Sequence, residues 1–120
     1  MLKETLQGSQ FEAVINSNSL VFVDFWAEWC APCKAFAKVY EKMAEEYPHI
    51  LFAKVNIEEE QELADALQIR SIPHLMVFKE GILIYSEAGA MPESVFNDLI
   101  EQAIKADVTD IKKKIDEGEL

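Results

Sequence analysis

The sequence predicts an α/β fold in which helices cover both faces of a central sheet. The strongest indication is the run from Leu20 to Trp26, which is apolar on both faces except for Asp24, because a strand of this kind is buried from both sides. A second indication is the alternation of strand-like runs with stretches of helical periodicity. The length is the third: 120 residues, of which 50% are hydrophobic, form one domain with one core and are too few for two.

The other elements follow from the spacing of apolar residues and from turn-forming residues. In chain order we predict an edge strand over residues 2–6, a helix capped by Ser9, the buried strand over 20–26, a helix from Cys33 that Pro48 ends, a strand over 51–57, an acidic helix over 58–68, an antiparallel hairpin of strands 75–78 and 82–85, and a helix opened by Pro92.

Residues 107–120 are predicted to form a short helical extension behind a domain that spans residues 1–106. Thr109 is the candidate N-cap of this helix, and Gly118 is its candidate end. A thin apolar stripe runs along it, made of Val108, Ile111 and Ile115. Because so short a helix is marginal alone, it packs on the domain, packs on a partner, or frays.

The composition restricts partners and location. The formal net charge of −11 and the lack of a basic patch argue against nucleic acid. The same charge favours basic or neutral protein partners, or serves solubility alone. No segment approaches the ~20 apolar residues of a membrane span, and the polar first 20 residues do not resemble a signal peptide. We therefore expect a soluble, cytoplasmic monomer.

Cys30 and Cys33 are the only cysteines and stand two residues apart, between the buried strand and a helix. At a helix start, residues i and i+3 lie on one face, with Cβ atoms roughly 5–6 Å apart, so the sulfurs can bond with little backbone movement. A zinc site needs four ligands, and no other cysteine is present. A structural disulfide across so short a loop constrains little. The spacing therefore indicates a redox dithiol.

The two cysteines are predicted to differ in reactivity. Cys30 lies at the helix N-terminus, where free N–H groups and the helix dipole stabilise a thiolate. Pro32 suits the first turn, where a missing N–H is harmless. Cys33 lies one turn further on and is more shielded. We therefore assign Cys30 as the attacking thiol and Cys33 as the resolving thiol.

Two charged residues near the cysteines are candidates for proton transfer. Burial of Asp24 would raise its pKa and suit it to that task; the alternative is an aspartate wetted at a fraying strand end. Lys54, on the next predicted strand, is either a solvated surface lysine or a neighbour of Asp24. Local sequence does not decide whether the Ile72–Pro73 bond is cis.

From about Gly8 to Ala106 the chain resembles the thioredoxin family. The resemblance rests on VDFWAEWCAPCK (residues 23–34), AKVNI (53–57), SIP (71–73), and FKEG (78–81) with Gly89 and Ala90. It implies the thioredoxin fold, a central mixed β-sheet flanked by helices on both faces. It also implies reduction of protein disulfides by dithiol–disulfide exchange.

The resemblance implies a role for each site residue. Cys30 attacks the substrate disulfide, and Cys33 then resolves the mixed disulfide after losing its proton. Asp24 accepts that proton, with Lys54 nearby. Pro73 matches the cis-proline of the family, which lies against the cysteine pair. The implied substrate-binding surface consists of Trp29, Ala31, Pro32, Ile72, Gly89 and Ala90.

The resemblance also implies how the dithiol is regenerated. An NADPH-dependent flavoprotein, thioredoxin reductase, reduces members of this family. NADPH and FAD belong to that partner, so we expect no cofactor in this chain, which has no glycine-rich phosphate loop. We expect no metal either.

Three features depart from the family pattern. Ala31 replaces the usual glycine, Lys38 replaces a helix-kinking proline and predicts a straighter helix, and residues 107–120 extend past the usual end. Two other functions remain open: a disulfide isomerase or oxidant, and a partner-binding module in which the redox pair is incidental.

Overall fold

The computed structural model describes residues 1–118. The strands are β1 (Leu2–Lys3), β2 (Leu20–Trp26), β3 (Leu51–Asn56), β4 (His74–Lys79) and β5 (Ile82–Ala88). The helices are α1 (Phe11–Ser17), α2 (Ala31–Glu46), α3 (Gln61–Ala66), α4 (Glu93–Lys105) and α5 (Thr109–Asp116), and a 3-10 turn (Gly8–Gln10) precedes α1. No helix within this described part combines the length and apolar character needed to cross a membrane.

The five strands form one mixed sheet in the order β1-β3-β2-β4-β5. Strands β1, β3 and β2 run parallel, β4 is antiparallel to β2, and β5 is antiparallel to β4. The predicted mixed sheet and hairpin are thus confirmed. Because β2 and β3 end at the edge where β4 begins and β5 ends, four loops that are distant in sequence meet there.

The central strand β2 is buried on both faces, as its composition predicts. Val21, Val23 and Phe25 pack into one apolar cluster, which includes residues of α1. Leu20 and Phe22 pack into the other, which includes residues of α2 and α4. This alternation follows from the two-residue period of a strand. Helices therefore flank both faces of the sheet.

Phe22 lies at the centre of the cluster under α2 and α4. Its side chain is fully buried, its ring stacks on Phe52 at 5.0 Å between centroids, and Phe96 meets it edge-on at 5.8 Å. We expect Phe22→Ala to lower the free energy of unfolding by about 3–5 kcal/mol, because it removes buried area and leaves a cavity. Urea unfolding measures this change.

The matched control for that prediction is Val95→Ala on α4. Val95 is 52% exposed, so its truncation should change the free energy of unfolding by only about 0.5 kcal/mol. An equal effect of the two substitutions would contradict the assignment of Phe22 to the core.

Two predicted helix starts are wrong for local reasons. Ser9 does not cap α1: it lies in the 3-10 turn, and no side chain caps either segment. The acidic helix begins at Gln61, not at residue 58. The Asn56 side chain accepts the N–H of Glu58 at 2.9 Å, and this bond turns the chain before a helix can form.

The predicted strand ends differ from the observed ones by up to three residues. The edge strand β1 is shorter than predicted, β3 ends one residue earlier, and the hairpin strands extend to His74 and Ala88. Pro92 precedes α4 as its N-cap. α2 runs unbroken through Lys38.

The start of α5 also differs from its prediction. Thr109 is the first helical residue, not the cap, and the Asp107 carboxylate accepts its N–H at 2.9 Å. Just before this point, Lys79 Nζ donates to the carbonyls of Ala103 and Ile104 at 2.8 and 2.7 Å. These bonds satisfy carbonyl groups at the end of α4.

Within residues 107–118 the extension is buried against the domain at its base, and the rest of α5 is exposed. Val108 is buried, whereas Ile111 and Ile115 are about half exposed. An ion pair of 3.6 Å joins Lys112 to Glu80, and both side chains are exposed. Gly118 ends the helix with a φ of 77°. Residues 119 and 120 lie outside the described residues, and the division at residue 106 stays a prediction.

Candidate active site

A disulfide between Cys30 and Cys33 lies at the start of α2. Cys30 is the N-cap residue, and its Sγ accepts the N–H of Cys33 at 3.2 Å. The Cα atoms are 5.2 Å apart. The predicted position of the pair at a helix start is confirmed. Both residues are buried, with Cys30 5% and Cys33 2% exposed, so they differ little in shielding in this oxidised form.

The end of β2 places the pair at the edge of the sheet. The chain turns after Trp26, and the N–H of Cys30 donates to the carbonyl of Ala27 at 3.2 Å. Pro32 occupies the first turn of α2. Backbone N–H groups have no partner within the helix there, so the absence of an N–H in proline costs no hydrogen bond. The cysteines therefore face the loops that arrive from β3 and lead into β4.

The loop before β4 brings Ile72 and Pro73 to the cysteines. Ile72 packs against the cluster formed by Ala27 and the two cysteines, and its carbonyl oxygen lies 3.7 Å from Cys30 Sγ. The Ile72–Pro73 bond is cis, as the resemblance implied. Gly89 donates its N–H to the Pro73 carbonyl at 2.8 Å.

Most of the residues predicted to bind substrate are exposed around the buried disulfide. Trp29 is 67% exposed, and Ile72 is half-buried. The other exposed positions are small or apolar: Ala31, Pro32, Gly89 and Ala90. Gly89 has a φ of 119°, which favours glycine. The structure thus brings three loops together at one edge, with the disulfide between them.

Asp24 is the only charged or polar residue in the buried core of the described chain. It is 0% exposed, and neither carboxylate oxygen has a hydrogen-bond partner. Burial raises its pKa from 3.8 to about 7, and the positive charge of Lys54 opposes part of that rise. The alternative of a wetted aspartate at a frayed strand end is therefore wrong.

Lys54 lies directly opposite Asp24 in the register of β2 and β3. It is half-buried, and its Nζ lies 4.9 Å from the centroid of the Trp26 ring. Within residues 1–118 no ion pair involves Lys54. Of the two predicted environments for Lys54, a solvated surface position and a position beside Asp24, the structure shows the second. Its ammonium group, however, contacts the Trp26 ring.

The sequence indicates no role at the site for Tyr40, which lies in the apolar stripe of α2, or for Trp26. Tyr40 is fully buried, and its hydroxyl donates to the carbonyl of Ala53 at 2.7 Å. Burial raises its pKa well above the usual value, and the charge of Asp24 raises it further. A phenolic hydroxyl within a mostly apolar helical stripe was the signal available for Tyr40.

Metal ligands are not clustered in the described structure: no group of three or more His, Cys, Asp or Glu side chains is arranged to hold an ion. The reactive groups that lie at this edge of the sheet are the two sulfurs and the buried carboxyl group. A dithiol that closes to a disulfide gives two electrons to a partner disulfide.

Comparison with known proteins agrees with this site. The family model for thioredoxin matches residues 3–102. The chain is 44% identical over 112 residues to "Putative thioredoxin 2" of Streptomyces coelicolor, covering 93% of this chain and 84% of that protein. It is 36% identical over 106 residues to "Thioredoxin-1" of Saccharomyces cerevisiae, covering 88% and 98%.

Solved structures show the same fold. A Plasmodium falciparum thioredoxin superposes with a TM-score of 0.76 at 37% identity, covering 83% of this chain and 97% of that one. A mutant thioredoxin from Halobacterium salinarum gives 0.77 at 31% identity, covering 85% and 89%. Fold, cysteine pair and relatives together define a thiol-disulfide oxidoreductase that reduces protein disulfides. The chain belongs to the thioredoxin family.

Proposed function

We propose that this chain is a general cytoplasmic reductant of protein disulfides, in which Cys30 attacks and Cys33 resolves. The observation that carries the assignment is the N-cap position of Cys30, whose sulfur already accepts a backbone N–H of α2. A thiolate at that atom gains from the same N–H and from the helix dipole. Cys33 lies inside the first turn, and its sulfur reaches Cys30 from there.

The proposed reaction has two exchange steps. The Cys30 thiolate attacks one sulfur of the substrate disulfide; that bond breaks, and the other substrate sulfur leaves as a thiolate and takes up a proton. Cys33 then loses its proton, and its thiolate attacks the Cys30 sulfur of the mixed disulfide. The substrate is released as a dithiol. The chain has then given up two electrons and carries the Cys30–Cys33 disulfide.

Asp24 is the proposed acceptor of the Cys33 proton. Its carboxylate oxygens have no hydrogen-bond partner, so they are free to take up a proton. A pKa of about 7 places the carboxyl group near the pH of the cytoplasm, where a base both accepts and gives up protons readily.

The proposed partners are protein disulfides and thioredoxin reductase. Since the oxidised chain must be reduced before the next cycle, we assign that task to the NADPH-dependent flavoprotein that serves this family. NADPH and FAD then reside in the reductase, and the chain itself needs no cofactor. A monomer suffices, because both sulfurs and the proton acceptor come from one chain.

The first test is the equilibrium reduction potential of the Cys30–Cys33 pair, titrated against glutathione or dithiothreitol buffers. The reference reduction potential of thioredoxin itself is about −270 mV. We expect this pair to lie below about −250 mV. A potential of about −180 mV or higher would instead place the protein with the isomerases and oxidants.

A coupled assay tests the proposed partner. With NADPH, thioredoxin reductase and a protein disulfide, we expect NADPH oxidation to depend on this chain and to stop with the Cys30→Ser/Cys33→Ser variant. If dithiothreitol supports turnover and the reductase does not, the chain is a reductase of protein disulfides that a different donor serves.

A further inference from the structure

Lys54 has two possible partners on the face of the sheet that it shares with Asp24 and Trp26. Asp24 and Trp26 are two residues apart on β2, so their side chains point to the same face. Lys54 pairs with Asp24 in the parallel register, and paired residues also share a face. A carboxylate and an indole ring therefore compete for one ammonium group.

The indole ring holds that ammonium group in this structure. The Nζ of Lys54 lies 4.9 Å from the Trp26 ring centroid, within the range of a cation–π contact. Both oxygens of Asp24 are buried and unpartnered, although the cation is on the adjacent strand. Lys54 is half-buried while Asp24 is fully buried, so an ion pair would require the ammonium group to lose more water.

We propose that Trp26 is a positioning residue, whose ring holds the Lys54 ammonium and so prevents that cation from pairing with the Asp24 carboxylate. The importance of this contact for catalysis rests on the proposed role of Asp24 as the proton acceptor. An ion pair would stabilise the charged carboxylate and make it a weaker base for the Cys33 proton. The contact with Trp26 therefore keeps Asp24 able to take up that proton.

The other neighbours of Asp24 offer no substitute for Lys54. Tyr40, from α2, uses its one hydroxyl proton in the bond to the Ala53 carbonyl. On β4 the residue paired with Asp24 is Leu75, which is apolar. Of the two residues paired with Asp24 on the adjacent strands, only Lys54 carries a charge. The position of this one ammonium group therefore decides the charge environment of Asp24.

The test is the titration of Asp24 in Trp26→Leu, followed by carboxyl-carbon NMR without substrate. Removal of the ring frees Lys54 to approach Asp24, and an opposite charge within about 4–6 Å favours the ionised form. We expect the acid dissociation constant of Asp24 to rise about tenfold. Trp26→Phe retains an aromatic face and should restore a value near that of the wild type.

The matched control is the same substitution in a Lys54→Met background. There is no cation to release, so adding Trp26→Leu to Lys54→Met should leave the Asp24 titration unchanged. An equal rise in the acid dissociation constant with and without Lys54 would overturn the proposal, as would no rise in Trp26→Leu alone.

A measurement on the wild-type protein covers the case in which Trp26→Leu does not fold. Protons of the Lys54 ε-methylene should show the upfield ring-current shift of a group above an indole. Ordinary random-coil shifts would overturn the proposal. Neither NMR readout depends on turnover, so a failed reductase assay and a failed contact between Lys54 and Trp26 are distinguishable results.

Discussion

Cys30→Ser is expected to lower the rate of protein disulfide reduction at least about a thousandfold, because a serine hydroxyl is a far weaker nucleophile than a thiolate. Cys33→Ser also stops turnover, but at a later point. Its intact Cys30 completes the first exchange and remains bound to the substrate, since no second thiol attacks the mixed disulfide. Non-reducing electrophoresis and intact-mass measurement detect that adduct in Cys33→Ser.

Ala35→Ser is the matched control, since Ala35 is exposed on the same helix and its variant also gains one hydroxyl. It should turn over substrate at the wild-type rate. Accumulation of the adduct in Cys30→Ser and its absence in Cys33→Ser would reverse the two assignments.

Asp24→Asn is expected to stabilise the protein at alkaline pH and to have little effect in acid. The pKa of Asp24 is about 7 in the folded chain against 3.8 for an ordinary aspartate. Between these values the folded chain keeps the proton while the unfolded chain loses it, so the free energy of unfolding falls as pH rises. The loss is complete above about pH 7 and amounts to about 4 kcal/mol, since each pKa unit corresponds to about 1.4 kcal/mol.

Urea unfolding near pH 4 and near pH 8 measures this difference. The asparagine variant does not titrate, so it should gain most of that amount near pH 8 and almost nothing near pH 4. Asp98→Asn removes the same charge from an exposed position on α4 and leaves Asp24 in place, so its free energy of unfolding should fall between the two pH values as much as that of the wild type. Equal pH dependence in Asp24→Asn and the wild type would contradict the raised pKa of Asp24.

The same variant is expected to slow resolution of the mixed disulfide by about a hundredfold, the usual contribution of a general base. Rapid-mixing measurements on a preformed mixed disulfide isolate that step. The first exchange at Cys30 should keep its wild-type rate in Asp24→Asn. Slowing of both steps to the same degree would indicate a general loss of structure.

The centre of the fold and the nucleophile were predictable because their signals are local. β2 is apolar on both faces, which only a strand inside a layered fold tolerates. The spacing of Cys30 and Cys33, with Pro32 between them, fits a helix start and little else. Asp24 is the one charged residue in that strand, and its burial could be predicted because the strand is covered on both faces.

What escaped prediction depends on contacts between distant segments. The position of the Lys54 ammonium depends on the register of β2 against β3, which puts Trp26 within its reach. The cis bond before Pro73 could not be derived from its own dipeptide, and only the family resemblance implied it. The start of α3 was predicted three residues too early because helix propensity does not account for the Asn56 side chain. This side chain accepts the N–H of Glu58 and so competes with helical hydrogen bonding.

The attachment of α5 puts the C-terminal helix far from the reacting sulfurs. It meets the domain near Glu80, the residue that follows β4, whereas β4 begins at His74, beside the cis-proline. Five residue steps of strand separate the two ends of β4, or about 17 Å. A tether, a purification tag or a solid support joined through α5 would therefore leave the cysteines facing outward, and an immobilised form of this protein should remain open to large folded substrates.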